Sequence, residues 1–182
     1  MKKTCWIRFS LPRTGGTRGA IDETPIIVDI LRDNIYGVDI NPASVEIAKL
    51  ALWLHSARAS APLSSLERTI RIGNSLVGDD FWSGRQRTAE AEERVRSLDW
   101  RAAFPEVWPA GRDGGFDIVL GNPPYVKLQN LMKVDPDVVA YLTDARGDDT
   151  YRSTQTGNLD LYLPFIEKGL RLLAPGGRMA YI

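Results

Sequence analysis

The sequence predicts an α/β fold built on a doubly wound, mostly parallel sheet. Short apolar runs alternate with helical stretches in the order β, α, β, α, β, α, β. The helices between runs serve as the crossovers that parallel strands need. Three distinctive sequences follow directly on apolar runs: Asp39-Ile40-Asn41, Gly73-Asn74-Ser75 and Asn122-Pro123-Pro124-Tyr125. Ligands in such sheets bind beyond the carboxyl ends of the strands, so these sequences point to one site.

The elements follow in order. Residues 4–11 alternate partly and suit a strand, followed by a glycine-containing loop at 12–19. Thr24-Pro25 opens a short helix to about Asn34, with a hydroxyl cap and a proline at its first position. Residues 36–40 form a short strand, Asn41 caps the next helix and Pro42 opens it. From 42 to about 56 the polar residues are confined to a stripe through Glu46 and Lys49, which predicts a helix packed on most sides. Residues 69–72 form a second strand. The polar stretch 79–115 then holds a helix at 88–98 with a solvated face of mixed charge, and an irregular packed segment around Trp100, Phe104 and Trp108. Residues 116–120 form the third strand. Asp135-Pro136 starts a helix to about Leu142, and the polar residues 143–158 read as a mobile loop. An amphipathic helix spans 160–173, Pro175-Gly176-Gly177 stops it, and 178–182 form the final strand.

Composition narrows the function. The chain has 182 residues, enough for one domain with its own core. Hydrophobic residues make up 43% and charged residues 25%, which excludes a disordered chain, a collagen repeat and a coiled coil. A single cysteine, Cys5, excludes a disulfide framework and a cysteine-based zinc site; no metal is expected. With one histidine, His55, there is little scope for a Ser-His-Asp hydrolase. Lys plus Arg is 23 and Asp plus Glu is 23, so overall charge gives no support for nucleic-acid binding. No apolar run approaches the roughly 18 residues of a membrane span. The lysines at the start resemble a secretory leader, but Arg8 and Arg13 interrupt the apolar run that should follow. The reading is cytoplasmic, with a free thiol.

Asn-Pro-Pro-Tyr after an apolar strand is the most specific signal. Two successive prolines fix both φ angles and remove two N–H donors. The Pro123 carbonyl and the Asn122 amide then offer two acceptors close together, suited to an exocyclic amine with two hydrogens. Tyr125 adds a flat ring on which a base can stack. The structural alternative is a proline-stiffened loop with a buried tyrosine.

At these residues the chain resembles the N6-adenine DNA methyltransferases that use S-adenosylmethionine. Within them it is most similar to the methylase core of large single-chain restriction–modification and phage-defence enzymes. The resemblance covers 30–182 through residues 34–42, 72–76, 116–126, 158–162 and 172–178, in family order. It implies an incomplete class I methyltransferase domain, Rossmann-like, over 1–182. Residues 1–29 would be a divergent or truncated N-terminal segment, and 79–115 an insert before the catalytic strand. The family's glycine-rich cofactor turn, Asp-Pro-x-x-Gly-x-Gly, is absent; Pro12-Arg13-Thr14-Gly15-Gly16 is the nearest sequence.

The resemblance also assigns roles. Asp39 holds the cofactor ribose, Ile40 packs on its adenine, and Asn74 with Ser75 reads the adenine edge. Asn122, Pro123, Pro124 and Tyr125 form the catalytic set, with Asn122 also reaching the cofactor. The implied reaction is methyl transfer to N6 of an adenine flipped out of duplex DNA, with 143–158 closing over the base. The implied partners are duplex DNA and either a missing N-terminal segment or a target-recognition domain on another chain. Plainer roles stay open: an acidic strand-end cap at Asp39, core at Ile40, a turn-forming Asn74. The alternatives are a non-catalytic remnant, or an amino-methyltransferase acting on RNA or on a protein glutamine, since Asn-Pro-Pro-Tyr serves those enzymes too.

Overall fold

The structure, a computed structural model, describes residues 24–55, 66–109, 113–144, 151–155 and 160–182. The strand expected at 4–11 and the loop at 12–19 lie outside the described residues.

Helix α1 (Thr24–Asp33) ends as expected, its last turn closed by Asn34 N–H donating to the Ile30 carbonyl at 2.9 Å. Strand β1 (Gly37–Asp39) is shorter than the apolar run suggested. Tyr36 is drawn into the core instead, with its ring edge-on to Phe104 at 5.3 Å. β1 pairs in parallel with β2 (Ile70–Ile72), Gly37 opposite Ile70 and Asp39 opposite Ile72. Helix α2 (Pro42–His55) makes the crossover; Asn41 Oδ1 accepts from Ala43 N–H at 3.0 Å, and Pro42 sits at the first helical position.

α2 is less enclosed than its composition predicts. Val45 packs with Leu31, Leu66 and Ile70, whereas Ile47, Leu50 and Leu54 are 57%, 49% and 58% exposed. The reason is the width of the floor beneath it. Two three-residue strands at about 4.8 Å spacing cover one face of a helix and no more.

Strand β3 (Phe116–Gly121) pairs in parallel with β4 (Leu173–Tyr181). Here the expected boundary moves. Helix α7 (Tyr162–Leu172) ends before Pro175-Gly176-Gly177, and the strand begins at Leu173 rather than Arg178. While β3 advances from Phe116 to Ile118, β4 advances from Leu173 to Arg178, so the proline and glycines form a bulge within the strand. Gly176 takes φ +80°, a conformation open to glycine. Among the described residues the strands form two two-stranded sheets, β1-β2 and β3-β4, not the single doubly wound sheet expected. No described strand bridges β1 and β3. The pairs nevertheless share one core, in which Tyr36 and Val38 meet Phe116 and Val119.

Residues 79–109 feed this core. Helix α3 (Ala89–Val95) is capped by Thr88, which accepts from Ala91 N–H at 3.2 Å. Helix α4 (Trp100–Ala103) is capped by Asp99 and carries the buried Trp100. Trp100, Phe104 and Phe116 meet at centroid distances of 5.6–6.5 Å. A short helix the sequence did not reveal, α5 (Leu128–Met132), precedes α6 (Pro136–Thr143), which Asp135 caps by accepting from Val138 N–H at 3.3 Å. Among the described residues no helix is long and apolar enough to cross a membrane.

Residues 151–155 correct the expected mobile loop at 143–158. Tyr151 is buried and its hydroxyl donates to the Leu76 carbonyl at 2.6 Å. Thr154 is buried too, its hydroxyl bonding the carbonyls of Leu142 and Tyr151. Glu167 on α7 accepts from the backbone N–H groups of Arg152 and Ser153 at 3.1 and 2.9 Å. Long-range anchors of this kind leave no local periodicity in a polar stretch.

These bonds set the charge state of Glu167. Burial pushes its carboxyl up, but the Ser153 and Arg152 N–H groups and Arg171 outweigh that, so it lies below the ordinary carboxylate value. A lowered folded-state pKa contributes stability above the unfolded value of about 4.3, lost as pH falls through the folded value. Glu167→Gln is therefore expected to cost about 1 kcal/mol at pH 7. Urea unfolding of both proteins should show that difference vanishing in strongly acidic buffer; an undiminished gap there refutes the assignment.

Candidate functional site

The carboxyl ends of β1 and β2 open on a cavity of about 150 Å³. Asp39, Ile40, Asn74 and Ser75 line it, together with Gly73 and Leu76. The rest of the lining is mostly apolar: Leu131 of α5, Val138 and Leu142 of α6, and Leu161 and Phe165 at the start of α7. Pro124, from the turn after β3, completes the lining with Arg94 and Asp135. Thus four positions marked at two strand ends meet in one cavity with a member of the third sequence. Asn122, Pro123 and Tyr125 do not line it.

Local bonding explains the convergence. Asp39 ends β1, where its Oδ1 accepts from Asn41 N–H at 2.7 Å and its carbonyl from Gly73 N–H at 3.0 Å. A side chain at Gly73 would meet Leu98 at 2.5 Å, so glycine lets the strand end approach the core. Asn74 Oδ1 accepts from Leu76 N–H at 3.1 Å, closing the turn after β2. Arg96, at φ 51°, ends α3 and ties both strand ends together. Its carbonyl accepts from Asn74 N–H at 2.6 Å and its Nη1 donates to the Ile40 carbonyl at 2.9 Å. The Ser75 carbonyl accepts from buried Trp100 Nε1 at 3.1 Å.

Two further cavity residues, Arg94 and Asp135, escape sequence reasoning. Arg94 lies on the helix read as a solvated mixed-charge face, yet Nη1 bonds Asp135 Oδ1 and Nη2 reaches Asp137 at 3.3 Å. Burial works against its charge, but the two carboxylates outweigh it and Arg94 is raised above the ordinary arginine value. Asp135-Pro136 was legible as a helix start; its place beside Arg94, 41 positions away, was not. Leu161 and Phe165 had only the apolar period of an amphipathic helix to mark them.

At the end of β3 the turn is held by Val126 N–H donating to the Pro124 carbonyl at 3.0 Å and Leu161 N–H to the Val126 carbonyl at 2.8 Å. Pro123 is buried and Asn122 half-buried. Among the described residues, neither the Asn122 side chain nor the Pro123 carbonyl takes a hydrogen bond. Tyr125 is 61% exposed, so the buried-tyrosine alternative does not hold. Its ring lies parallel to Tyr162, 10° between planes and 5.9 Å between centroids. Tyr162 in turn meets Tyr181 edge-on, and burial followed by the proximity of Tyr162 pushes the Tyr181 phenol up.

Comparison with known proteins supplies the lineage. The chain is 45% identical over 67 residues to a type II methyltransferase, M.XhoI, of Xanthomonas vasicola, covering 37% of this chain and 11% of that one. It is 31% identical over 113 residues to a release factor glutamine methyltransferase of Rhodospirillum rubrum, covering 60% and 33%. It is 27% identical over 135 residues to the adenine-specific methyltransferase PglX of Streptomyces coelicolor, covering 66% and 11%. The chain therefore spans about a tenth to a third of these relatives' lengths. No solved structure matches. The family of Eco57I restriction-modification methylases matches residues 33–182. With that match over most of its length, the chain belongs to the Eco57I restriction-modification methylase family.

Proposed function

We propose that this chain is catalytic core of an S-adenosylmethionine-dependent methyltransferase acting on N6 of adenine in duplex DNA, in a restriction–modification or phage-defence setting. One observation carries the reading. Pro124 belongs both to the turn with two open acceptors and to the lining of the cavity that holds Asp39, Ile40, Asn74 and Ser75. The acceptors and the cavity are thereby neighbours.

The residues fit the cofactor. A mostly apolar cavity of about 150 Å³ takes one aromatic ring system. Asp39 at its edge supplies a carboxylate for ribose hydroxyls, as strand-end carboxylates do for dinucleotides. Ile40, Pro124 and Phe165 supply apolar faces for the base, and Asn74 and Ser75 polar groups for its edge. When bound, the cofactor supplies a methyl group on a positively charged sulfur. Asn122 and the Pro123 carbonyl accept the two amine hydrogens of the target. That favours a tetrahedral nitrogen with its lone pair aimed along the transfer direction. Orientation and electrostatics do the remainder, and no general base is needed before transfer. The target base is flipped from the duplex and stacks on exposed Tyr125.

On this reading the two parallel strand pairs are parts of a Rossmann-like α/β architecture, and 1–182 forms a partial catalytic domain. Its completing partner is a further segment or a target-recognition domain. A DNA substrate in a restriction–modification setting supports the cytoplasmic reading. The test is calorimetric titration of the purified chain with S-adenosylmethionine. Saturable binding is expected, weakened about tenfold or more by Asp39→Ala, the loss of a charge-assisted bond. A folded chain that shows no binding overturns the proposal.

A second reading has its own support, since the glutamine methyltransferase is matched over 60% of this chain. Methyl incorporation into a protein glutamine rather than duplex DNA would select it.

A further inference from the structure

The cavity carries one carboxylate that the proposed reaction leaves unused. Asp135 immediately precedes α6, and its side chain is only 12% exposed. Its Oδ1 takes all its protein partners, Arg94 Nη1 and the Val138 N–H. Among the described residues nothing donates to Oδ2. Asp135 is thus a nearly buried acceptor lining a mostly apolar cavity, held at one oxygen and open at the other. Oδ2 therefore keeps its hydrogen-bonding capacity for a ligand.

Asn74 has the reverse commitment. A backbone N–H can bond only the oxygen of an amide, so the Leu76 N–H fixes which end of Asn74 is engaged. Its NH₂ has no acceptor among the described residues. The cavity therefore holds a fully open acceptor in Asp135 Oδ2 and an open donor in the Asn74 amide, whose oxygen is already partly engaged. Adenine presents the complement: an amine that donates beside a ring nitrogen that accepts. Hypoxanthine presents the reverse, a carbonyl beside a protonated nitrogen.

We infer that Asp135 is the residue that selects adenine in this cavity, its Oδ2 accepting from the exocyclic amine while the Asn74 amide donates to the adjacent ring nitrogen. The inference rests on reading the cavity as the cofactor's adenosine pocket. It shifts recognition of the amine away from Asn74, the position to which the resemblance assigns it. Arg94 is a positioning residue: it occupies Oδ1 and so determines which oxygen the ligand meets.

The experiment titrates the purified chain with S-adenosylhomocysteine and with S-inosylhomocysteine, which differ only at this edge. The wild type should prefer the adenosyl compound by about tenfold or more. In Asp135→Asn the amide oxygen remains committed to Arg94 and Val138, a donor replaces Oδ2, and the preference should fall to within about twofold. Asp135→Ser is the second variant; both keep a good helix cap, so the start of α6 survives. Circular dichroism verifies folding. If the variants discriminate as well as the wild type, the inference is overturned while the proposed function stands. If the wild type binds neither compound, both fall. If it binds both equally, the inference alone fails.

Discussion

Asn122→Ala should lower methyl transfer by roughly 10²–10³-fold, the cost of removing one preorganised polar group at the reacting atom. Cofactor affinity should hardly change, because Asn122 does not line the cavity. The asymmetry is the informative part. A residue that merely shaped the pocket would alter binding and rate together. The half-buried Asn122 side chain bonds no described residue, so its removal leaves no protein donor unsatisfied and the fold should tolerate it. Incorporation of labelled methyl into duplex DNA, beside calorimetry with S-adenosylmethionine, reads both quantities. Full activity in the variant would mean that the turn does not grip the target amine.

The largest stability effect is expected at Phe104, the completely buried centre of the aromatic cluster. Its ring meets Tyr36 at 5.3 Å, Trp100 at 5.6 Å and Phe116 at 6.5 Å, joining the segment 79–109 to both strand pairs. Phe104→Ala should cost about 3–5 kcal/mol, from lost transfer energy and the void left behind. Since Trp100 also bonds the Ser75 carbonyl, loosening the cluster should weaken the cavity edge. Denaturant unfolding measures the first effect; a loss near that of an exposed residue would show that the cluster does not hold the pairs together.

Much of this architecture is written locally. Thr88, Asp135-Pro136 and Asn41-Pro42 announce helix starts because capping is a property of adjacent residues, and each start is observed. Strand ends are legible for the same reason, so Asp39, Ile40, Asn74, Ser75 and Pro124 could be marked before their meeting place was known. What failed to show depends on distant partners. Arg94 looks like any charge on a solvated helix until Asp135 arrives beside it. Tyr151 and Thr154 sit in a polar stretch that suggests mobility, yet they are secured by Leu76 and Leu142. The exposed row on α2 misled in the opposite direction, because apolar composition reports what a helix could bury, not how wide a sheet lies beneath it. The bulge in β4 shows a third limit. Pro-Gly-Gly normally ends an element, but here it is absorbed within one.

The placement of these residues has an evolutionary consequence. The strand pairs are held backbone to backbone, whereas every position assigned to chemistry lies at or just beyond a strand end. Substitutions in those loops can change the acceptor molecule without disturbing the ladders below. Adenine and the glutamine side chain share a planar nitrogen with two hydrogens, which is all that the proposed mechanism asks Asn122 and the Pro123 carbonyl to address. On the proposed reading the turn recognises a functional group, and the choice of molecule falls to its exposed surroundings at Tyr125 and Tyr162. A scaffold divided in this way can change customers by loop exchange while its reaction stays the same.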